Sequence, residues 1–561
     1  MKQTSMILMS DYYKQAHAEQ YPEGITKLIS YATARMTRMP KEMLGDKLTV
    51  FGIQSYVKDF LIERFNETFF NVPLEEAMAE YEMVIGDTFP LQYVNTGKFE
   101  ELHKLGYLPV EVGCLAEGTR VPIRSAFELP EGQCQVPFMY IINTHPDFPW
   151  ITEFLESVTS SEVWYPMAIA NQAYYYRDIV NFWYGKTGVD PAARKSAISE
   201  FGFRGGKSSD AAIKASSAFL TSFNKTATIP AIKYMHDYYG DPVGEIGGGM
   251  ISTEHSVMCS NFAVDGDEET FLKKLFGTLY PTGAVSVVMD TYDYWENLKR
   301  CGSGELKEII MNRPGTVFFR GDSGDPVDII CGEYVPHFKN LETVKLSRTC
   351  AHLVYSDEEQ CWYKFRKDNG KDVWDRYDEE PVESLGTVGL LAKMFGYITN
   401  AEGYKVLNPH VRAIYGDSIT PTRAREIYQR LADKGFAANN VALGAGSFST
   451  QCAETPDGRL LPFTRDSYGI AVKATWCADE TKGEERQLFK NPKTDTGKFK
   501  KSQKGLIWVG YDENGEIIAK DGYTTDTLPE GNLLQPIFRD GKMVKETTLA
   551  EIRERLHGGD F

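Results

Sequence analysis

The sequence predicts an α/β protein: a TIM-like (β/α) barrel domain joined to a mixed α+β domain built from both chain ends. Three observations carry the prediction. From about residue 196 to 450, short apolar runs alternate with helical stretches some seven times, the rhythm of a parallel sheet. Residues 105–140 instead alternate apolar and polar positions and are broken by Gly and Pro, as antiparallel hairpins are. After Phe463 that second style returns. The expected domains are 1–165 and 461–561, together forming the α+β part, and 166–460, the barrel, with an insertion at 337–380. A doubly wound open sheet is the competing architecture.

The elements follow in order. Asp11, Tyr13 and Lys14 precede a Tyr21-Pro22-Glu23-Gly24 turn. Apolar spacing is helical over 50–70 and 74–85, and Pro73 suits a helix's first turn. Leu108–Val112 and Thr119–Ile123 read as hairpin strands, and 148–184 as aromatic-rich helix. The barrel strands are expected at Ala197–Phe203, Ala218–Phe223, Gly249–Thr253, Ala284–Met289, Thr316–Phe319, Val411–Tyr415 and Asn440–Leu443. Helices are expected at Ser209–Ser217, Ile229–Tyr239, Glu269–Leu279, Val382–Phe395 and Thr422–Lys434. Within 337–380, Val344–Ser347, Cys361–Phe365 and Lys371–Trp374 look like short inserted strands.

Composition narrows the function classes. The 561 residues allow two or three domains, and 42% hydrophobic with 25% charged residues describes a globular enzyme. A net charge of −17 argues against nucleic acid or an anionic membrane as partner. Nine cysteines without framework spacing point to a reducing compartment, and no apolar segment reaches membrane-spanning length. The expectation is a cytoplasmic protein.

Barrel active sites form where strands end, and these strand ends are unusually charged. They lead into Arg204-Gly205-Gly206, Glu254-His255, Asp290, Arg320-Gly321-Asp322, Gly416-Asp417 and Gly444-Ala445-Gly446-Ser447. Taken singly, each Asp can be a helix cap and each glycine a turn. As a set, the carboxylates with Arg204 and Arg320 suit a polyanionic substrate handled with a divalent cation. Asp290, Asp322 and Asp417 are hard oxygen ligands or ribose-hydroxyl acceptors, and the 444–447 turn can seat a phosphate on backbone N–H groups. His255, beside Glu254, titrates nearest neutrality.

Six blocks now stand in register: Asp11-x-Tyr13-Lys14, Glu200-Phe201-Gly202-Phe203-Arg204-Gly205, Glu254-His255-Ser256, Val285–Asp293, Arg320-x-Asp322-Ser323-Gly324-Asp325-Pro326 and Gly416-Asp417. In this combination the chain closely resembles the nicotinamide-using branch of the barrel-type phosphoribosyltransferases, from residue 11 to about 510. The resemblance implies transfer of phosphoribose from phosphoribosyl pyrophosphate to nicotinamide, with Mg2+ and with ATP coupled through phosphorylation of His255. It implies a homodimer with shared sites. Phe201 then stacks on the pyridine ring and Tyr13 of a second subunit on its other face. Arg204, Ser286 and Arg320 contact base or phosphate, Asp290 and Asp322 contact magnesium and substrate, and Asp417 contacts ribose, with Gly416 beside it among the substrate-binding residues. Gly446, Ser447 and Arg465 belong to the phosphate cradle. Lys473, Lys490 and Lys500 are expected among the substrate contacts, the last two reaching in from the second subunit, as is Asp11. Glu254 joins His255, Asp290 and Asp322 in the catalytic set.

Three departures stand out. Ala227 replaces an Asp that binds the substrate amide in the nicotinamide enzymes, Gly249 replaces a serine near the base, and Ser447-Phe448 interrupts the glycine run of the phosphate loop. The first two bear on base choice and keep nicotinate as the alternative substrate. A catalytically silent nucleotide-binding dimer is opposed by the intact His255, Asp290, Asp322 and Arg320. A barrel aldolase lacks its Schiff-base lysine at these strand ends.

Overall fold

The structure, a computed structural model, describes residues 3–40, 44–90, 96–347, 351–490 and 503–561. It has two principal sheets. The first is antiparallel and draws on both chain ends, in the order Glu484–Gln487, Ile470–Asp479, Lys27–Ala34, Pro137–Asn143, Val110–Cys114, Gln535–Arg539, Lys542–Met543. Lys27–Ala34 is buried at every position but its first and lies between a strand on each side, one of them from the far C-terminal part, with Lys27 opposite Ala478. The expected hairpin between Leu108–Val112 and Thr119–Ile123 does not form. Val110–Cys114 pairs within this sheet, whereas Arg120–Pro122 pairs with Lys47–Thr49.

Helix α1 (Glu156–Lys186) carries twenty buried residues along its 31, and it contains Pro166. Proline inside a helix normally clashes and removes a hydrogen bond. Here its ring is accommodated by Gly52, at φ +88°, where a Cβ would lie 2.8 Å from the Pro166 Cβ.

The second sheet is parallel. Its strands are β1 (Ile198–Glu200), β2 (Ile251–Ser252), β3 (Val285–Val288), β4 (Val317–Gly321), β5 (Val411–Tyr415) and β6 (Val441–Ala445), in the spatial order β1-β6-β5-β4-β3-β2. Strand β3 shows why: four residues, three of them valine, all buried, form a strand covered on both faces. Each such valine contributes roughly 1.5–3 kcal/mol by burial. The expected barrel is met in part, as a six-stranded half-barrel. Its edge strands are linked through residues 224–228, by single bridges Glu200–Thr226 and Lys225–Gly248.

Two expected strands are helices instead. Ala218–Phe223 is the end of the helix Ser209–Phe219 and the turn after it, because its small buried residues pack a helix closely. Val344–Ser347 belongs to the helix Leu341–Ser347, where only Val344 is buried. The insertion otherwise forms its own four-stranded sheet, His337–Phe338, Leu353–Ser356, Cys361–Asp368 and Lys371–Tyr377, around a small separate core of Val344, Val354, Cys361 and Tyr363.

Candidate active site

The carboxyl ends of β2, β3 and β4 bring His255, Asp290, Arg320 and Asp322 together. His255 opens helix α2 (His255–Asp265), and its Nδ1 lies 3.0 Å from Thr291 Oγ1. Its Nε2 faces two carboxylates, Asp290 Oδ1 at 3.9 Å and Asp322 Oδ2 at 3.8 Å. Glu254 does not share this contact; its carboxylate takes the Ser256 hydroxyl. Arg320 stands level with Val288 on β4 and reaches across β3, donating to Ser252 Oγ (2.6 Å) and Thr253 O (3.0 Å). Its Nε lies 3.3 Å from Asp322 Oδ1.

Asp290 is held from one side only. Its Oδ2 accepts the Asp322 N–H (2.9 Å) and the Ser323 hydroxyl (2.5 Å). Its Oδ1 is buried without a hydrogen-bond partner, and so is Ser286 Oγ beneath Arg320 on β3. Buried polar atoms are normally satisfied, and both of these retain hydrogen-bonding capacity toward a ligand. Burial raises the Asp322 carboxyl above its ordinary range, Asp290 and Asp417 raise it further, and Arg320 and His255 oppose them. The Tyr415 phenol is raised by burial and then by Asp417, Asp290 and Asp322. The rim is therefore a concentrated negative field with an arginine set in it.

The other half of the rim carries an aromatic face. Phe201 leaves β1 and donates its N–H to Ala445 O (2.8 Å). Its ring lies on Gly416 and Gly444, where a Cβ would come within 2.8 and 2.3 Å of ring carbons. Any side chain at either glycine would lift the ring. Asp417, exposed beside Gly416, accepts the Ser418 hydroxyl at 3.0 Å. Arg204 is exposed on the turn Phe203–Gly205, which packs on Ser447 and accepts Gln451 Nε2 at Gly205 O (2.6 Å). Gly446 precedes the short helix Ser447–Gln451. Ala227 is exposed, and its N–H donates to Glu200 O (2.8 Å).

The remaining predicted residues gather elsewhere. Asp11, Tyr13 and Arg465 line a groove with Glu156, Ser157 and Trp164. Asp11 Oδ2 accepts Ser157 Oγ (2.5 Å), and Glu156 holds both Lys14 and Lys473 at 2.7 Å. Those two lysines hold the Glu156 carboxyl below its ordinary range against the effect of burial. Tyr13 is 58% exposed. Lys490 is exposed, and Lys500 lies outside the described residues. Sequence reasoning gave no role to Glu200, Thr291, Ser323 or Glu156. Glu200, Thr291 and Ser323 stood inside the blocks that carry the resemblance, whereas Glu156 carried no signal.

The profile of the nicotinate phosphoribosyltransferase (NAPRTase) family matches residues 196–542. That of the nicotinamide phosphoribosyltransferase N-terminal domain matches residues 5–82. A nicotinamide phosphoribosyltransferase of Acinetobacter baylyi is 35% identical over 554 residues, covering 97% of this chain and 96% of the relative. One of Xanthomonas campestris pv. campestris is 26% identical, covering 98% and 97%. The crystal structure of human nicotinic acid phosphoribosyltransferase aligns over 98% of this chain and 92% of its own, at 14% identity and a TM-score of 0.49.

Proposed function

This chain belongs to the nicotinate phosphoribosyltransferase family, and from that premise we infer that it transfers phosphoribose from phosphoribosyl pyrophosphate to nicotinamide, giving nicotinamide mononucleotide and pyrophosphate in NAD salvage. The pyridine nitrogen forms the bond to C1 of the ribose while the C1–O bond breaks, and its electron pair leaves with pyrophosphate. The observation that best supports the reading is one rim holding a backed aromatic platform, Phe201, beside the Arg320, Asp290 and Asp322 cluster.

The roles follow from charge. C1 becomes cationic as the bond breaks, so carboxylates on the ribose side and cations on the leaving side both favour the transition state. Phe201 holds the base flat with its nitrogen toward C1. Arg320 and Arg204 meet phosphate oxygens, Asp417 accepts a ribose hydroxyl, and the 444–447 turn takes the 5′-phosphate. The donor set fits a magnesium ion, since Asp290 Oδ1 is buried and unpartnered and Asp322 stands beside it. Bound there, Mg2+ would neutralise the departing pyrophosphate. Among the described residues no group of three or more His, Cys, Asp or Glu forms a metal shell, so substrate oxygens would complete it.

Two finer elements belong to the same proposal. His255 accepts phosphate from ATP: an imidazole nitrogen bonds to phosphorus, ADP leaves, and water later releases the phosphate. Its clamping at Nδ1 and its two facing carboxylates support this. The active unit is a dimer in the cytoplasm, with Asp11, Tyr13, Arg465 and Lys473 completing the site of a second copy. Helix α2 supports it: it starts at His255 and leaves Val257, Phe262 and Val264 exposed. No helix among the described residues is long and apolar enough to cross a membrane.

Incubation with phosphoribosyl pyrophosphate, Mg2+ and either base tests the reading. Nicotinamide mononucleotide and pyrophosphate should form in equal amounts. Faster formation of nicotinate mononucleotide would favour the acid as substrate, the reading that Ala227 leaves open.

A further inference from the structure

Glu200 is only 1% exposed, yet the donors it meets are neutral. Its Oε1 accepts the Gly202 N–H (2.5 Å), and its Oε2 accepts the hydroxyls of Thr226 (3.0 Å) and Thr228 (2.7 Å). A buried carboxylate without a cation is costly, and a well-packed apolar side chain would serve stability as well. What the carboxylate does uniquely is join two places. Gly202 follows Phe201, the stacking platform, and Thr226 and Thr228 flank Ala227. The main chain repeats the link, since Glu200 N–H donates to Lys225 O (3.1 Å) and Glu200 O accepts from Ala227 N–H (2.8 Å). Thr226 Oγ1 is further fixed by Ser216 Oγ at 2.8 Å and by the Thr228 N–H at 2.9 Å. The segment held in this way also bridges the two edges of the parallel sheet.

We propose that Glu200 is a positioning residue for the base: its carboxylate sets the separation between the Phe201 ring and the residue-227 wall, and thereby the affinity for the pyridine substrate. The proposal rests on the reading of Phe201 as the stacking platform. It places Glu200 out of contact with substrate and away from the Arg320, Asp290 and Asp322 cluster, so phosphoribosyl pyrophosphate should be bound as before.

Steady-state kinetics with each substrate varied in turn test this. In Glu200→Gln an amide NH2 replaces one acceptor oxygen, so at least one of the three donors loses its partner. KM for nicotinamide should rise about tenfold, the cost of one hydrogen bond to a charged group. KM for phosphoribosyl pyrophosphate should not change. Thr228→Val removes one hydroxyl while keeping the side chain's shape, and should raise the same KM alone; Thr228→Ser should restore it. A Thr228→Val protein with the parent's KM for nicotinamide, or one in which both KM values and kcat worsen together without rescue by Ser, overturns the proposal. A parent enzyme that makes no nicotinamide mononucleotide would instead sink the underlying reading.

Discussion

Asp322 shows the cost of the site at the scale of one residue. Its carboxyl is raised, chiefly by burial, so between the unfolded value near ~3.9 and the folded value the native state binds more protons than the unfolded one. Stability therefore falls as pH rises from the unfolded value through the folded one. Asp322→Asn should melt at a higher temperature than the parent at pH 7.5, with the gap closing on acidification, while kcat/KM drops roughly 10²-fold. A lower melting temperature at pH 7.5 would mean that the Arg320 pair outweighs burial. At His255 the expected outcome is different in kind. His255→Ala should abolish ATP hydrolysis and slow transfer; undiminished ATP turnover in the folded variant would remove it from the chemistry. Ala227 bears on selectivity. A carboxylate there would accept the amide N–H of nicotinamide and repel nicotinate, an effect of about 1.5–3 kcal/mol or ten- to a hundredfold. Ala227→Asp should widen the amide-over-acid ratio of kcat/KM by that factor, and an unchanged ratio would show that another group reads the amide.

Among the elements, what could be read from sequence was whatever a local pattern encodes. Ile229–Tyr239 has helical apolar spacing and is a helix over those residues, while Val382–Phe395, with the same spacing, is helical on either side of a break at Gly386 (φ +66°). Val285–Val288 is a β-branched run and is a buried strand. Ala218–Phe223 differs from its expected strand because a short apolar run buried on all sides has no period to separate helix from strand. The rim's charges were legible because they follow strand ends. The support of Phe201 by Gly416 and Gly444 was not, since those contacts join residues more than two hundred positions apart. The same holds for Glu156, which joins Lys14 to Lys473. The insertion is a separate case: its strands were partly visible, yet only the structure shows a core of its own. Val354→Ala removes two methyls from that core and should cost about 2 kcal/mol locally. Hydrogen exchange across residues 353–377 should accelerate while kcat/KM stays at the parent value. A matching fall in activity would tie the insertion to the site.

At the scale of the whole molecule, the chain's two ends meet in one antiparallel sheet, and its Lys473 pairs with Glu156 in the groove lined by Asp11, Tyr13 and Arg465. The proposed catalytic cluster of His255, Asp290, Arg320 and Asp322 belongs to the parallel sheet. On the proposed reading one copy carries two partial sites: a rim with one aromatic face for the base, and a groove with the exposed Tyr13 and Arg465, next to Lys473. In a two-fold dimer each groove can face the other copy's rim, and the self-complementary interface then makes two composite sites. Helix α2, beginning at His255, leaves Val257, Phe262 and Val264 exposed. Mixing two inactive variants distinguishes this arrangement from a site complete within one copy. Tyr13→Ala keeps its rim and loses its groove; Asp322→Ala keeps its groove and loses its rim. After random exchange half of the dimers are mixed, and each mixed dimer holds one intact site and one doubly damaged site. Activity should therefore return to about a quarter of the parent's, from near zero in either variant alone. Native mass spectrometry of the same mixture reports whether exchange took place. Mixed dimers that form and remain inactive would place the whole site within a single chain, and Tyr13 would then have no part in the partner's chemistry.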